Sequence, residues 1–345
     1  MRKNPFAVGT SLGFASAVAF GVSTPLVQRF GRGVGPFTTA ALLYAGAALV
    51  SALPRARGDA PLRGRDWKLL ALVALLGAVA APIALAWGLQ HTSGVAASLL
   101  LSLEAVFTVL LARIAWHEPI GPRVGTAVAA LVAGGAVLVV HGPSVGMTAG
   151  WGALAVVGAT IAWAADNVLG RPLADRDATK VVLAKAALGA TLSAGLALAV
   201  SEPLPRWSTA VGLAVCGGVG YGLSLRLYLR AQRLVGAART GSVFAAAPFL
   251  GAITAWAIGQ RTGGIATIVA GALCAAGVWL HLTESHEHVH EHEAQDHEHS
   301  HRHDDGHHAH PHEVYPSGEH SHRHSHERTS HSHAHAPDSH HRHGH

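Results

Sequence analysis

Gly94-Val95-Ala96-Ala97-Ser98-Leu99-Leu100-Leu101-Ser102-Leu103-Glu104-Ala105-Val106-Phe107-Thr108-Val109-Leu110-Leu111-Ala112-Arg113-Ile114-Ala115-Trp116 runs through a single carboxyl, near its middle, before its only basic residue. A run of this length is what a helix needs to cross the roughly 30 Å hydrocarbon core of a bilayer. Outward from it the pattern repeats. Apolar stretches precede it at about 6–28, 34–53 and 68–90, and follow it at 122–141, 150–170, 180–200, 207–229, 238–259 and 262–282. Ten spans are expected. Pro25, Pro82 and Pro248 fall inside spans, which is tolerated where neighbouring helices satisfy the freed backbone groups.

Composition agrees. Charged residues make up 13% of the 345, against roughly a quarter in soluble domains, and two cysteines exclude a disulfide framework. The net charge of +5 averages two unlike parts: residues 1–283 carry +13, and residues 284–345 carry −8 with 23 of the 27 histidines. Met1-Arg2-Lys3 and Ala15-Ser16-Ala17 resemble a secretory signal and its cleavage site, but the apolar run continues past them. An uncleaved first helix is expected.

With the N-terminus inside, sixteen Lys and Arg fall in inner segments, Arg171, Arg226 and Arg230 among them, and four in outer ones. Both termini are therefore expected in the cytoplasm, with the chain multi-pass in the plasma (inner) membrane. The positive charge is explained by topology, so no nucleic-acid partner is invoked.

A shift of 142 lays the fourth and fifth spans on the ninth and tenth: Gly94 on Gly236, Phe107 on Phe249, Ala115 on Ala257, Gly135 on Gly277 and Glu118 on Gln260. A shift of 143 lays Gly9 on Gly152 and Phe20 on Trp163. Five spans per repeat is odd, so the halves must be inverted, the plan of many secondary transporters with their solute site between the halves. The fold class expected is an all-α integral membrane protein of ten helices in two inverted five-helix repeats, residues 1–141 and 150–282, followed by a disordered tail, 284–345.

Ionisable groups within spans are costly and point to function. Glu104 is the principal candidate for binding a proton or solute. Asp166 and Asn167 in the sixth span, Lys185 near the inner end of the seventh and Trp163 complete the candidate site, with an Asp166–Lys185 ion pair expected between neighbouring helices.

Ala97 through Phe107, closed by Trp116-His117-Glu118, resembles the fourth-helix signature of EamA-type transporters of the drug/metabolite transporter superfamily. Ala246-Ala247-Pro248-Phe249 resembles its counterpart in the second half, and Trp163–Arg171 resembles the sixth-helix pattern. The resemblance covers essentially all of residues 6–282 and implies a ten-helix exporter of metabolites, amino acids or drugs. The chain departs from the pattern at Ala105, His117 and Gln260, where the family often has Pro, Gly and Glu, and Ala246 stands opposite Glu104.

In the tail, histidine alternates with other residues at His286, His288, His290, His292, at His297, His299, His301, His303, and at His320, His322, His324, His326. Few large apolar residues accompany them, so no core is expected. Imidazole without thiolate favours Zn²⁺, Ni²⁺, Co²⁺ or Cu²⁺. No cofactor is required by the spans. The partners expected are lipid, a small-molecule solute and a divalent metal at the tail, and the architecture is compatible with a homodimer. Divalent-metal efflux and a membrane-tethered metal sensor are the rival functions. No phosphate-binding loop, nucleophile elbow or zinc-protease motif is present, which argues against an enzyme and an ATP-driven pump.

Overall fold

The computed structural model describes residues 5–53, 61–116, 120–141, 149–173, 176–235, 237–260 and 264–283, with the backbone of 286–292, 295–301, 320–326 and 329–335. Ten helical segments fill the first seven stretches: α1 (Pro5–Phe30), α2 (Pro36–Ser51), α3 (Asp66–His91), α4 (Gly94–Leu100 and Leu103–Trp116) and α5 (Pro122–His141). The second set is α6 (Ala149–Leu169), α7 (Ala178–Ala199), α8 (Trp207–Gly217 continuing to Val235), α9 (Ala237–Phe244 and Ala247–Ala257) and α10 (Ile265–Leu282). Nine are long and apolar enough to cross a bilayer, and α2, at 16 residues, is the short one.

The two sets interleave. α1 packs on α8 and α9, α2 on α7 and α8, α3 and α4 on α6, and α5 on α10. Small residues permit this. A Cβ on Gly46 would collide with the Ala214 carbonyl, and one on Gly217 with that of Leu43, so α2 and α8 touch backbone to backbone. The α5–α10 contact is reciprocal: Gly134 lies against Ala270 and Cys274, while Gly277 lies against Ala127 and Leu131. Each residue of one set is 143 positions from its counterpart in the other.

The repeat therefore runs at 143 here, and the offset of 142 is corrected: Gly134, not Gly135, is the counterpart of Gly277. The same offset relates the starts of α4 and α9 (Gly94 and Ala237), whereas the breaks within them, Leu101-Ser102 and Ala245-Ala246, stand 144 apart. Among so many Ala and Gly residues, side-chain identity discriminates poorly between neighbouring offsets; interhelical contact does not. Two wide π-turns, Leu75–Ala80 in α3 and Gly218–Leu223 in α8, also stand 143 apart.

The end of the bundle at which α1 begins is termed inner. At the outer end, Glu202 accepts from the Phe37 and Thr38 amides (3.2 and 2.7 Å), capping α2, whose N-cap residue is a glycine. At the inner end, buried Arg176 donates to Asp66 (2.8 Å), tying the start of α3 to the approach to α7.

The backbone of the tail forms two two-stranded antiparallel ladders, β1 (His286–His292) with β4 (Thr329–His335) and β2 (Gln295–His301) with β3 (His320–His326). The alternation of histidine has the two-residue period of a strand. Among the described residues neither ladder has a third strand, and such pairs are at best marginally stable alone in water. His303 of the histidine series lies outside the described residues.

Candidate functional site

A π-turn leaves a backbone carbonyl without its usual partner, and in α3 that group is used twice. The Gly77 carbonyl accepts from the Tyr44 hydroxyl of α2 (2.6 Å) and from Trp163 Nε1 of α6 (2.9 Å). The missing side chain at Gly77 admits the Asp166 carboxylate, with which a Cβ would collide. Lys185 Nζ, from α7, donates to both Asp166 oxygens at 2.6 Å. Asn167 Nδ2 then donates to Glu104 Oε1 at 2.8 Å, and Glu104 is within electrostatic reach of Asp166.

The structure thus places Glu104, Asp166, Asn167, Lys185 and Trp163 in one neighbourhood, built from α3, α4, α6 and α7 with Tyr44 of α2. The expected Asp166–Lys185 contact is present, with the carboxylate 9% and the lysine side chain 22% exposed. Burial of this kind is tolerable only while both partners are there; an unpaired charge would cost several kcal/mol. Asn167 is exposed, so the Glu104 carboxyl sits at the edge of the polar cluster rather than sealed within it.

The cluster belongs to one side of the pseudo-symmetry. At the positions 143 away, Asp166 is matched by Ser23, Lys185 by Leu42, Glu104 by Ala247 and Tyr44 by Ala187. Ser23 still presses on the second π-turn, at Gly220, as Asp166 presses on Gly77. Packing is repeated; charge is not.

One aromatic position is shared. Phe20 and Trp163 are counterparts, and their rings meet at 6.4 Å, nearly edge to face. A residue in contact with its own counterpart lies at the pseudo-two-fold axis. Around this pair stand Tyr221 (5.8 Å from Phe20), Phe244 (5.6 Å from Phe20) and Tyr44 (5.7 Å from Tyr221). The polar cluster therefore borders an aromatic patch on the seam between the halves. Sequence reasoning missed Tyr44, Tyr221, Phe244 and the Gly77 carbonyl. A tyrosine midway along an apolar span is a usable signal for the first two, whereas nothing in the sequence marks a π-turn.

The ends of the seam differ. At the outer end, Gln28 of α1 donates to the carbonyls of Leu89 and Thr92 (2.6 and 2.7 Å), and all three residues are buried. Gln260 accepts from the Gly94 amide (2.8 Å) at the start of α4. The inner-end counterparts of Gln28, Leu89 and Thr92 are Arg171, Gln232 and Val235, each only partly buried. Of these six residues, those at the outer end are the more deeply buried. The inner residue matching Gln260 lies outside the described segments.

Among the described residues no group of three His, Cys, Asp or Glu side chains could hold a metal ion, and the tail side chains lie outside that set.

Two interleaved five-helix sets, related by a repeat and meeting at a polar and aromatic seam, define an inverted-repeat membrane protein of the kind that secondary transporters use. The EamA-like transporter family matches the chain twice, over residues 7–140 and 150–283, and the chain belongs to that family. Those matches also stand 143 residues apart. A protein of Methanothermobacter thermautotrophicus described as an "Uncharacterized transporter" is 28% identical over 237 residues, covering 66% of this chain and 67% of that one. A crystal structure described only as that of a "protein" superposes with a TM-score of 0.58 at 22% identity, covering 79% of this chain and 97% of its own. That likeness concerns the fold. The chain is a multi-pass membrane transporter by family.

Proposed function

We propose that the protein exports a small metabolite, amino acid or drug-like compound across the plasma (inner) membrane by alternating access, with both termini in the cytoplasm. The observation that carries this reading is the one-sided polar cluster: Glu104 and Asn167 beside Asp166–Lys185, bordering aromatic rings at the pseudo-two-fold axis. Glu104 carries the coupling proton or contacts the solute; Asp166, Lys185, Asn167 and Trp163 shape and orient its surroundings. With no nucleotide motif in the chain, uphill movement draws on an ion gradient. The test is a screen of candidate solutes for uptake into proteoliposomes. A solute carried by the wild-type protein and lost with Glu104→Gln supports the site. Full retention of gradient-driven flux in that variant sinks it.

The tail, on this reading, is an accessory arm that binds Zn²⁺, Ni²⁺, Co²⁺ or Cu²⁺ through its alternating histidines, and the spans need no resident cofactor. Divalent-metal efflux is the rival reading, favoured by the 23 histidines between 284 and 345. It rests on the tail alone. Removing residues 284–345 separates the two: loss of nickel, cobalt or zinc tolerance with metabolite flux intact would favour efflux. Unchanged metal tolerance together with lost metabolite export in Glu104→Gln would exclude it. A metal sensor that moves nothing predicts no flux with any solute or metal.

A further inference from the structure

We propose that the two ladders of the tail are closed by metal: histidines standing opposite one another across β1–β4 and β2–β3 form divalent-cation sites shared by both strands, and the ion holds the strands together. The inference rests on the reading of the tail as a metal-binding arm and deepens it, from a composition that binds to a register that binds.

In the first ladder His286 stands opposite His335, His288 opposite His333 and His290 opposite His331. In the second, His297 stands opposite His324, His299 opposite His322 and His301 opposite His320. His292 and His326 face Thr329 and Gln295, at the ends of the two ladders. Alternation alone does not produce this match. Histidine occupies even positions in β1 and β3 and odd positions in β2 and β4, and one register serves both ladders. A slip of one residue would set every one of these histidines opposite some other residue type.

Alternate residues of a strand share a face, so each ladder gathers its paired histidines in one double row. Directly opposite residues of an antiparallel pair stand about 4.5–5.5 Å apart at Cα, and the next pair on the same face follows at about 7 Å. Two neighbouring pairs, such as His286, His288, His333 and His335, supply the four ligands that Zn²⁺ prefers. One strand by itself offers imidazoles only at the longer spacing. A two-stranded ladder is marginal alone, and where a site exists only in the paired state the free energy of metal binding becomes free energy of folding. Free divalent cation thereby chooses between a paired and an unpaired tail.

Zn²⁺ retained against a competing chelator by the full chain in nanodiscs tests the register, because the same number of histidines can be removed in two ways. His→Ser at 286, 288 and 290 of β1 and at 331, 333 and 335 of β4 empties one ladder, and is expected to remove about half of the retained Zn²⁺. His→Ser at 286, 288 and 290 and at 320, 322 and 324 takes one row from each ladder, and is expected to remove nearly all of it. The β1 changes alone should cost as much as those in β1 and β4 together. Equal losses in the two six-histidine variants, or losses that add strand by strand, overturn the shared sites and leave a tail that binds metal. A wild-type chain that retains no more Zn²⁺ than one lacking residues 284–345 overturns the metal-binding reading itself. Spin labels at the register partners Glu291→Cys and Ser330→Cys are expected to show dipolar broadening with Zn²⁺ and to lose it with chelator; the native cysteines are buried. Broadening that ignores the metal overturns the ion as the closing element.

Discussion

The two halves share a backbone plan and differ in what they place at the seam. Ser23 and Leu42 occupy in the first half the positions that Asp166 and Lys185 occupy in the second, yet both sets press on a π-turn in the same way. Repetition secures the helix contacts, since a glycine that admits a neighbour in one half does so again in the other. Both halves contribute charged groups, Glu104 from the first and Asp166 and Lys185 from the second, but they gather on one side of the pseudo-symmetry only. A duplicated charge cluster would double the cost of burying ionised groups without adding a distinct step, so a single acidic site suits one solute or proton per cycle.

This contrast can be broken by copying one half into the other. Lys185→Leu reproduces the Leu42 environment but strands Asp166, and is expected to destabilise the protein by roughly 3–5 kcal/mol in thermal or chemical unfolding. Asp166→Ser combined with Lys185→Leu removes both charges, and should recover most of that loss while abolishing flux. A single variant as stable as wild type would show that the buried carboxylate does not depend on its lysine partner.

The α5–α10 joint sharpens the comparison from the side of likeness. Gly134→Val and Gly277→Val occupy equivalent places and should cost about 1–3 kcal/mol each, equally within error, because each forces the facing helix away. Gly125→Ala, with nothing near its added carbon, should be neutral or slightly stabilising under the same unfolding assay. Unequal penalties at 134 and 277 would show that the reciprocity is only apparent.

Glu104→Gln makes the first half resemble the second, where position 247 is an uncharged alanine. Gradient-driven flux is expected to fall by about ten-fold or more, the scale of one charge-assisted hydrogen bond, with folding preserved. Smallest is Trp163→Phe, which matches Phe20 and removes one donor from the Gly77 carbonyl. With Tyr44 still bonded there, about 1 kcal/mol of stability should be lost.

Much of this was readable from the chain. Length and hydropathy located the spans, the odd number per half required inversion, and Glu104, Asp166 and Lys185 stood out as charges in an apolar setting. The remainder depended on relations between helices. Gln28 reads as an ordinary polar residue at a helix end until the carbonyls of α3 are seen around it. Glu202 reads as loop, yet it caps α2 from 164 residues away. The Asp66–Arg176 pair joins positions 110 apart that no periodicity links. The exact repeat offset escaped because Ala and Gly recur so often that identity scarcely distinguishes 142 from 143.

The short α2 has a consequence of its own. Sixteen residues rise only about 24 Å, less than the roughly 30 Å hydrocarbon core. Over half of the helix is buried against protein, which spares it much of the contact with lipid that would otherwise expose the mismatch. Its exposed side, at Leu49, still meets the bilayer. Lipid must thin along that flank or the bundle must lean to cover it, at fractions of a kcal/mol per ångström. Acyl-chain length thereby becomes a variable of the transporter: thicker bilayers load α2 first, and through its backbone contact with α8 that load reaches the second π-turn.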